Sequence, residues 1–388
     1  MNGPTRDRAA KSVVALVACP DYDDARVLTA LRRGVSLLGG IERFAAPGER
    51  ILLKPNVLIG APPERHVTTH PAVFQAMGRL LQERNARLRY GDSPGFGAFA
   101  AAAAKSGLAA AAAAIGAEMA DLSLPVQLSF HDALIARQMV LAREALDADG
   151  IVNLAKMKTH GFMRVTGAVK NLFGCVPGMR KGEYHVKMPR SVHFAAMLVD
   201  VCRRLNPRLN VLDGIVAMEG NGPGSGTPRP LGVLLLSADP VALDAVFCRL
   251  VRLEPEFVPT MAPGAESGLG VFAAEAIEIV GDDCRSLSCP DFQVVRLPGV
   301  AFDRSFPYYL KKWITPRPVI DPRRCLRCGI CTAVCPLDPK AVVPPAEDPG
   351  RTPAYDYRRC IRCYCCQEMC PHGAIAIRRP VLSRLIHR

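Results

Sequence analysis

Residues 325–336 read Cys-Leu-Arg-Cys-Gly-Ile-Cys-Thr-Ala-Val-Cys-Pro, and residues 360–371 read Cys-Ile-Arg-Cys-Tyr-Cys-Cys-Gln-Glu-Met-Cys-Pro. Both segments contain the spacing Cys-x2-Cys-x2-Cys-x3-Cys-Pro. Three thiolates this close together on one loop can each reach a different iron of the same iron–sulfur cube. The repetition of the spacing predicts a compact C-terminal region built around such clusters.

Zinc is the competing interpretation of these cysteines, because Cys-x2-Cys pairs also form zinc sites. A zinc ion takes four ligands in one tetrahedral set. A third cysteine at the same spacing, present in both runs, would then have no role. We therefore predict iron–sulfur clusters in this region rather than zinc.

The two runs resemble those of bacterial two-cluster ferredoxins over about residues 321–377, which implies two [4Fe–4S] clusters and electron relay between them. In that module the fourth cysteine of each run ligates the cluster of the other run. The resemblance therefore implies one ligand set of Cys325, Cys328, Cys331 and Cys370, and a second set of Cys360, Cys363, Cys366 and Cys335.

The use of cysteine points to a reducing compartment. The chain has 15 cysteines, which would suggest disulfides in a small secreted chain, but eight of them fall in the two metal-type runs above. Cys365, directly before Cys366, is either a packed bystander or a spare ligand. The remaining six lack ligand spacing and are expected to fill the core: Cys19, Cys175, Cys202, Cys248, Cys284 and Cys289.

No apolar run in the sequence is long enough to cross a membrane. The longest stretch of mainly small apolar residues, Phe99–Ile115, is mostly alanine and contains Lys105 and Gly107. It therefore predicts a helix of a soluble domain. The apolar run Val13–Ala18 follows basic residues but lacks the length and cleavage site of a signal peptide. We therefore expect a first β-strand there and a cytoplasmic protein.

Strand-like and helix-like segments alternate through the first 300 residues, which predicts an α/β domain with a largely parallel sheet. We expect this domain at residues 1–300, a linker at 301–320 and a small α+β two-[4Fe–4S] ferredoxin-like domain at 321–388. The predicted strands are Val13–Ala18, Arg50–Leu53, Arg87–Tyr90, Gln138–Leu141, Gly150–Leu154, Asn210–Leu212 and Gly232–Ser237, and the predicted helices include Ala25–Leu38, Pro71–Arg84 and Pro240–Leu250.

Polar residues rich in Lys, His and Asn follow several of these strands. Ligands of open α/β sheets bind beyond the carboxyl ends of the strands, and ammonium and imidazole groups there suit a carboxylate or phosphate. The alternative is that they are turn and capping residues. The predicted catalytic residues are Lys156, Lys158, His160, Lys170, Asn171 and His185, and the predicted cofactor-binding residues are Lys54, Asn56 and Asp92.

Two further features belong to the same region. Asp213 and Glu219 are candidates for cation binding or acid–base chemistry. Residues 220–226 read Gly-Asn-Gly-Pro-Gly-Ser-Gly, without the Lys-Ser/Thr ending of a Walker loop or the spacing of a dinucleotide fingerprint. We expect this segment to be a mobile loop over the site.

Four segments of the first domain resemble the family known as domain of unknown function 362. They are Lys-Pro-Asn at 54–56, Lys-Met-Lys-Thr-His at 156–160, Lys-Asn-Leu-Phe-Gly at 170–174, and Asp213-Gly214 with Glu219-Gly220. The resemblance covers nearly all of the first domain, and members commonly carry a ferredoxin-type tail. It implies the architecture above but no particular reaction.

The net charge of +13 is concentrated near the C-terminus, where residues 304–388 hold 16 Lys and Arg against 6 Asp and Glu. One interpretation is a surface for nucleic acid or an anionic membrane. The other is compensation of negatively charged clusters, or docking of an acidic partner. Aromatic side chains for base stacking are sparse there, so nucleic acid is not the expected partner.

These features together predict a cytoplasmic iron–sulfur oxidoreductase. We expect a soluble protein to donate or accept electrons through the clusters, and an anionic small molecule or cofactor to bind in the Lys/His-rich pocket. The alternative is a non-enzymatic, ferredoxin-type electron carrier whose large domain docks a partner. The sequence lacks a His-Glu-x-x-His motif, which argues against metalloproteases of that type.

Overall fold

A nine-stranded sheet organises the large N-terminal part of the chain. The computed structural model describes residues 11–297, 315–345 and 350–378. The strands of the large part, including a separate hairpin formed by β5 and β6, are β1 (Ser12–Ala18), β2 (Arg50–Pro55), β3 (Arg87–Tyr90), β4 (Glu118–Met119), β5 (Pro125–Ser129), β6 (Gln138–Ala142), β7 (Gly150–His160), β8 (Arg164–Thr166), β9 (Leu209–Glu219), β10 (Thr227–Ser237) and β11 (Ile277–Gly281).

The sheet is mixed but mainly parallel. Its spatial order is β11-β1-β10-β9-β7-β2-β3-β4, and β8 pairs with β7. The central neighbours β9, β7, β2 and β3 all run parallel, whereas β10 is antiparallel to both β1 and β9. The carboxyl ends of those four parallel strands therefore meet at one edge of the sheet.

Helices cover both faces of this sheet, as an α/β layer requires. Successive strand residues point to opposite faces, so Leu52 packs with α8 and α9 while Leu53 packs with α1 and α2. The structure thus confirms the predicted α/β class. The helices are α1 (Asp24–Leu37), α2 (Pro71–Gln82), α3 (Phe99–Lys105), α4 (Leu108–Ala114), α5 (Arg143–Leu146), α6 (Ala168–Asn171), α7 (Arg180–Lys187), α8 (Ser191–Leu205), α9 (Pro240–Leu250) and α10 (Met261–Glu266).

The alanine-rich stretch differs from the single helix that was predicted for it. It forms two helices, α3 and α4, because Gly107 between them has a φ of 75°. This left-handed conformation is one that glycine adopts readily. The helix predicted at Pro71–Arg84 is confirmed as α2, and the side chain of His70 accepts the Ala72 backbone N–H at its start.

The small C-terminal part is built from two similar halves. Each half has a cysteine loop followed by a four-residue helix, α11 (Ile330–Ala333) or α12 (Cys365–Glu368). Two antiparallel strand pairs complete this part, which we call the cluster domain: β12 (Arg317–Ile320) with β15 (Ile375–Arg378), and β13 (Val342–Val343) with β14 (Ala354–Tyr355).

The predicted linker lies mostly outside the described residues, which omit positions 298–314. Its last four residues, Arg317–Ile320, instead form β12 and pair with β15. The domain therefore begins earlier than the predicted boundary at residue 321. Pro318 had suggested a linker, but strands at the edge of a sheet tolerate proline.

Candidate functional site

The cysteines of the cluster domain lie in two neighbouring groups. A cavity is lined by Cys325, Cys328, Cys331 and Cys370 together, and we call these four the outer group. Burial raises the pKa of the Cys360 thiol, and the nearby thiols of Cys363 and Cys335 raise it further. Cys366 lies near Cys360 and Cys363, and also near Cys331 of the outer group. We call Cys335, Cys360, Cys363 and Cys366 the inner group.

The backbone around the cysteines suits iron–sulfur ligation. Arg327 and Arg362, at equivalent positions of the two loops, both adopt positive φ, near 56° and 61°, so each loop curls in the same way around its three cysteines. Backbone N–H groups of Ala341 and Ala374 donate to Sγ of Cys335 and Cys370, at 3.4 and 3.3 Å. Hydrogen bonds to ligand sulfurs are one means by which proteins tune such clusters.

A single metal ion would require a tighter arrangement. Within residues 11–297, 315–345 and 350–378, no three His, Cys, Asp or Glu side chains are placed to hold one ion. This is compatible with the cysteine groups described above, because a cube binds each thiolate at a different iron.

A cleft between the large part and the cluster domain collects several of the predicted pocket residues. It holds about 770 Å³ of empty space, part of it open to solvent. The large part contributes polar side chains to its lining, namely Asn56, Asp92, Ser93, Lys170, Asn171, Lys181 and His185. The cluster domain contributes Val334, Cys365, Glu368 and Met369.

Lys170 supplies an ammonium group to this cleft. It lies in α6, whose first two backbone N–H groups donate to the buried carboxylate of Asp244, at 2.6 and 3.2 Å. Asp244 thereby positions the helix that carries Lys170. Among the described residues, the ammonium group of Lys170 has no hydrogen-bond or ion-pair partner. It is therefore available to an anion in the cleft.

A second ammonium group, that of Lys181, lies near the first. Its Nζ donates to Oγ of Ser93 at 2.7 Å. Burial lowers the pKa of Lys181 to about 8, although the nearby Asp92 carboxylate opposes the shift. Lys181 is consequently a cation whose charge changes close to neutral pH.

A row of buried amides connects the cleft to the core. Asn56 donates to Asn171 at 3.0 Å, Asn171 donates to Asn153 at 2.8 Å, and Asn153 donates to Asn210 at 2.8 Å. Lys158, fully buried behind the cleft, donates to Oδ1 of Asn56 at 2.6 Å. These bonds fix the orientation of the two amides that line the cleft.

The cation of Lys54 is neutralised behind the cleft. Its Nζ lies 2.9 Å from Oδ1 of Asp92, and both side chains are buried. The other oxygen of Asp92 accepts the backbone N–H of Val57 at 2.8 Å. Lys54 therefore holds Asp92 in place rather than facing a ligand directly.

His185 lines the cleft with an unsatisfied nitrogen. Its side chain is buried and stacks on Phe194, with ring centroids 4.2 Å apart. Nδ1 has no hydrogen-bond partner among the described residues, and burial lowers the pKa of this histidine to about 4. A buried polar atom without a partner costs free energy, so a ligand in the cleft would stabilise it.

His160 and Glu368 form a polar contact between the two parts of the molecule. Nε2 of His160 lies 3.0 Å from Oε1 of Glu368. Nδ1 of His160 accepts two backbone N–H groups, which requires a neutral ring with its proton on Nε2. Burial opposes ionisation of Glu368, but the contact with His160 and the positive charge of Lys170 lower the pKa of Glu368.

Lys156 is not part of the cleft. Its Nζ lies 2.8 Å from Oδ2 of Asp213 and 2.7 Å from the Tyr22 hydroxyl. The hydroxyl also donates to Oδ1 of Asp213 at 2.9 Å, so all three groups are paired. Lys156 therefore does not line the predicted pocket, because the pairing of β7 with β9 places it opposite Asp213.

The glycine-rich segment 220–226 does not cover the cleft, contrary to expectation. None of its residues is among those lining the cleft. Instead, the fully buried Gln367 donates to the carbonyls of Asn221 and Gly222, at 2.9 and 3.2 Å. Asn221 donates in turn to the Ile375 carbonyl at 2.9 Å. The segment therefore binds the cluster domain to the large part through these hydrogen bonds.

Sequence reasoning did not assign the cluster-domain side of the cleft. Glu368 and Met369 lie between two predicted cysteine ligands and were not among the predicted pocket residues. Cys365, for which two roles were left open, lines the cleft beside Cys363. The one available signal was the pair Gln367-Glu368, since polar residues inside a buried ligand loop need partners.

An α/β sheet with a polar cleft against an iron–sulfur domain defines the class of this protein. Residues 317–371 match the family described as a 4Fe-4S dicluster domain, so the chain is an iron–sulfur protein with a ferredoxin-type domain suited to electron transfer. Residues 51–249 match the family described as domain of unknown function (DUF362). The chain belongs to the DUF362 family.

Similarity to known proteins extends to a relative and to a solved structure. The relative is a thylakoid-associated protein of Synechocystis sp., 38% identical over 263 residues, which are 68% of this chain and 81% of that protein. The structure is the lactate racemase apoprotein of Thermoanaerobacterium thermosaccharolyticum, with 12% identity and a TM-score of 0.39. That alignment covers 64% of this chain and 59% of the racemase.

In the part of the chain that the structure describes, no helix combines the length and apolar character needed to cross a bilayer.

Proposed function

We propose that this protein is an iron–sulfur oxidoreductase that delivers electrons to an anionic substrate or cofactor bound in the cleft. The composition of the cleft lining supports this proposal. One side carries Lys170 and His185, and the other carries Val334 and Cys365. The last two residues directly precede cysteines of the inner group, so a bound molecule would lie beside that group.

The cysteine groups define where the clusters would be held. The inner and outer groups each supply four thiolates, which suits one [4Fe–4S] cluster apiece. When bound, such clusters supply electrons one at a time over a range of low potentials. The coupling of a relay to a cleft in one chain removes the need for diffusional encounter between donor and acceptor.

The polar lining favours a ligand with a carboxylate or phosphate group. The ammonium group of Lys170 would bind that group, and Lys181 would add a second cation below about pH 8. Asn56 and Asn171 are held by the amide row and would orient the ligand through hydrogen bonds. Charge-assisted hydrogen bonds of this kind are stronger than neutral ones.

The lining also has an apolar part, which favours an organic ligand over a bare inorganic ion. Leu58, Phe173, Met179 and Met369 all contribute to the cleft. The unpaired Nδ1 of His185 would hydrogen-bond a polar atom of the ligand. The substrate class is thus an organic acid or phosphate ester with an apolar body that accepts electrons.

The test follows re-oxidation of the reduced holoprotein under argon. Excess reductant is removed, and the dialysable fraction of an extract from the source cells is added as oxidant. Loss of the reduced-cluster signal is followed by electron paramagnetic resonance. We expect Lys170→Met to slow re-oxidation by about 10-fold or more, because one charge-assisted contact contributes roughly 1.5–3 kcal/mol.

The matched control is Lys105→Met, which removes an exposed cation from α3. It should re-oxidise at the rate of the unmodified protein. Equal rates for all three proteins would refute the proposal, because electrons would then leave without using the cleft. A dialysable fraction that oxidises none of them would refute it as well.

A further inference from the structure

The two cysteine groups differ in their access to solvent. In the inner group, Cys335, Cys363 and Cys366 are buried. In the outer group, Cys328 is exposed, and the cavity beside it reaches the surface next to Leu326. The inner group adjoins the cleft, so the outer group is the one that a second protein can approach.

The chain segment before Cys328 combines an exposed apolar side chain with exposed cations. The side chain of Leu326 is 65% exposed, and Arg327 lines the same cavity as Leu326 and Cys328. Arg323 and Arg324, three and two residues before Leu326 in the chain, are exposed as well, and Arg327 donates to the carbonyl of Gly350 at 2.9 Å. Within the described residues, no carboxylate forms an ion pair with these three arginines. Their charges are therefore available to a partner.

We propose that this surface, formed by Arg323, Arg324, Leu326 and Arg327, is the docking site of an acidic electron-carrier protein. An apolar core surrounded by a charged rim is the usual anatomy of a protein interface, and complementary charge accelerates encounter. Cys325, Cys328, Cys331 and Cys370 would hold the cluster that takes up one electron from the reduced [2Fe–2S] centre of the carrier. No bond or proton is exchanged.

A membrane is a poorer fit to the same surface. Among the described residues of this surface, Leu326 is the one large apolar side chain that is exposed, which is too little for interfacial anchoring. The surface also surrounds a cysteine whose cluster would need a redox partner within reach. The inference rests on the proposed electron transfer, because it assigns the outer group as the point where electrons arrive and the inner group as the one serving the cleft.

The experiment measures binding rather than turnover. An acidic plant-type [2Fe–2S] ferredoxin is titrated into the holoprotein by calorimetry, with both proteins oxidised so that no electron moves. We expect R323E/R324E to weaken binding by about 10-fold or more, since charge reversal removes attraction and adds repulsion. Binding to the unmodified protein should weaken as salt rises, and the variant should lose most of that dependence.

The control R87E/R137E changes the net charge equally at two exposed arginines of the large part. It should bind the ferredoxin within about 2-fold of the unmodified protein, because long-range attraction is screened. Should R323E/R324E lose iron, R323Q/R324Q replaces it, and a smaller loss of affinity of at least about 3-fold is then expected.

Three results would overturn the inference. One is equal weakening by both charge-reversal pairs, and another is the absence of ferredoxin binding at low salt. The third is that phosphatidylglycerol vesicles bind the unmodified protein but not R323E/R324E, while ferredoxin binds neither protein. Lys170→Met should leave ferredoxin binding unchanged, so failure of the cleft proposal and failure of the docking proposal can be told apart.

Discussion

Lysines that look alike in the sequence have different surroundings in the fold. Lys156 is paired with Asp213, and Lys54 is paired with Asp92. Lys170 and Lys181 instead line the cleft. A lysine becomes a candidate anion-binding residue only when no carboxylate of the protein already neutralises it, and that depends on partners far away in the chain.

Lys181 allows a prediction about pH. The fold lowers its pKa from the ordinary 10.5 to about 8, mainly through burial. Its positive charge is therefore present below pH 8 and is lost as the pH rises through 8, and anion binding in the cleft should weaken over the same interval. Competitive labelling with acetic anhydride, read by mass spectrometry, should show Lys181 becoming reactive with a midpoint near pH 8.

The same lysine in the denatured chain provides the control, with an expected midpoint near its ordinary value of 10.5. A midpoint near that value in the folded protein as well would contradict the prediction. It would mean that Lys181 is solvated rather than buried against Ser93.

At the scale of elements, glycines permit close contact between the large part and α12. A Cβ at Gly224 would lie 2.7 Å from the backbone oxygen of Glu368. A Cβ at Gly161 would come too close to one atom, the terminal Cδ1 of Ile377, and would be in ordinary contact with Tyr364. The end of a side chain can move away from a new methyl group more easily than backbone can. Alanine should therefore be tolerated better at Gly161 than at Gly224.

We predict that Gly224→Ala destabilises the contact between the large part and the cluster domain by about 1–3 kcal/mol, as overpacking does elsewhere. Gly161→Ala is the matched comparison and should cost less than about 1 kcal/mol, since Ile377 can change rotamer. Hydrogen exchange of the Gln367 and Glu368 amides in the holoprotein measures the difference. Equal protection in both variants would show that the contact at Gly224 does not hold α12.

At the scale of the whole molecule, the two parts depend on different stabilising interactions. The sheet has a large hydrophobic core on each face. The buried core of the cluster domain is small, and three of its members are the cysteines Cys335, Cys366 and Cys370. A domain with so little apolar burial generally needs metal to fold.

We therefore predict that removal of iron with an oxidant and a chelator unfolds residues 317–378 but leaves the sheet intact. Limited proteolysis with mass spectrometry should place new cleavages in those residues, and circular dichroism should retain most of the α/β signal. Protein with iron and sulfide restored is the control. Cooperative loss of the entire signal, or unchanged resistance of residues 317–378, would contradict this expectation.

Much of the local structure was predictable because it depends on neighbours in the sequence. The strand at Val13–Ala18 and the helix at Pro240–Leu250 were expected and are present. The long helix α8 was not among the predicted elements. Its sequence, rich in β-branched and apolar residues, is compatible with a buried strand as well, and packing on the sheet decides between the two.

The sequence by itself determined the iron–sulfur domain, because six of the eight expected ligands lie in two short loops whose spacing alone brings three thiolates together. Only the tertiary structure decided which lysines face a ligand and what the segment 220–226 does. Asp213 lies 57 residues from Lys156, and Gln367 lies 146 residues from Asn221. Contacts at such separations arise from how strands and domains pack, and no local pattern encodes them.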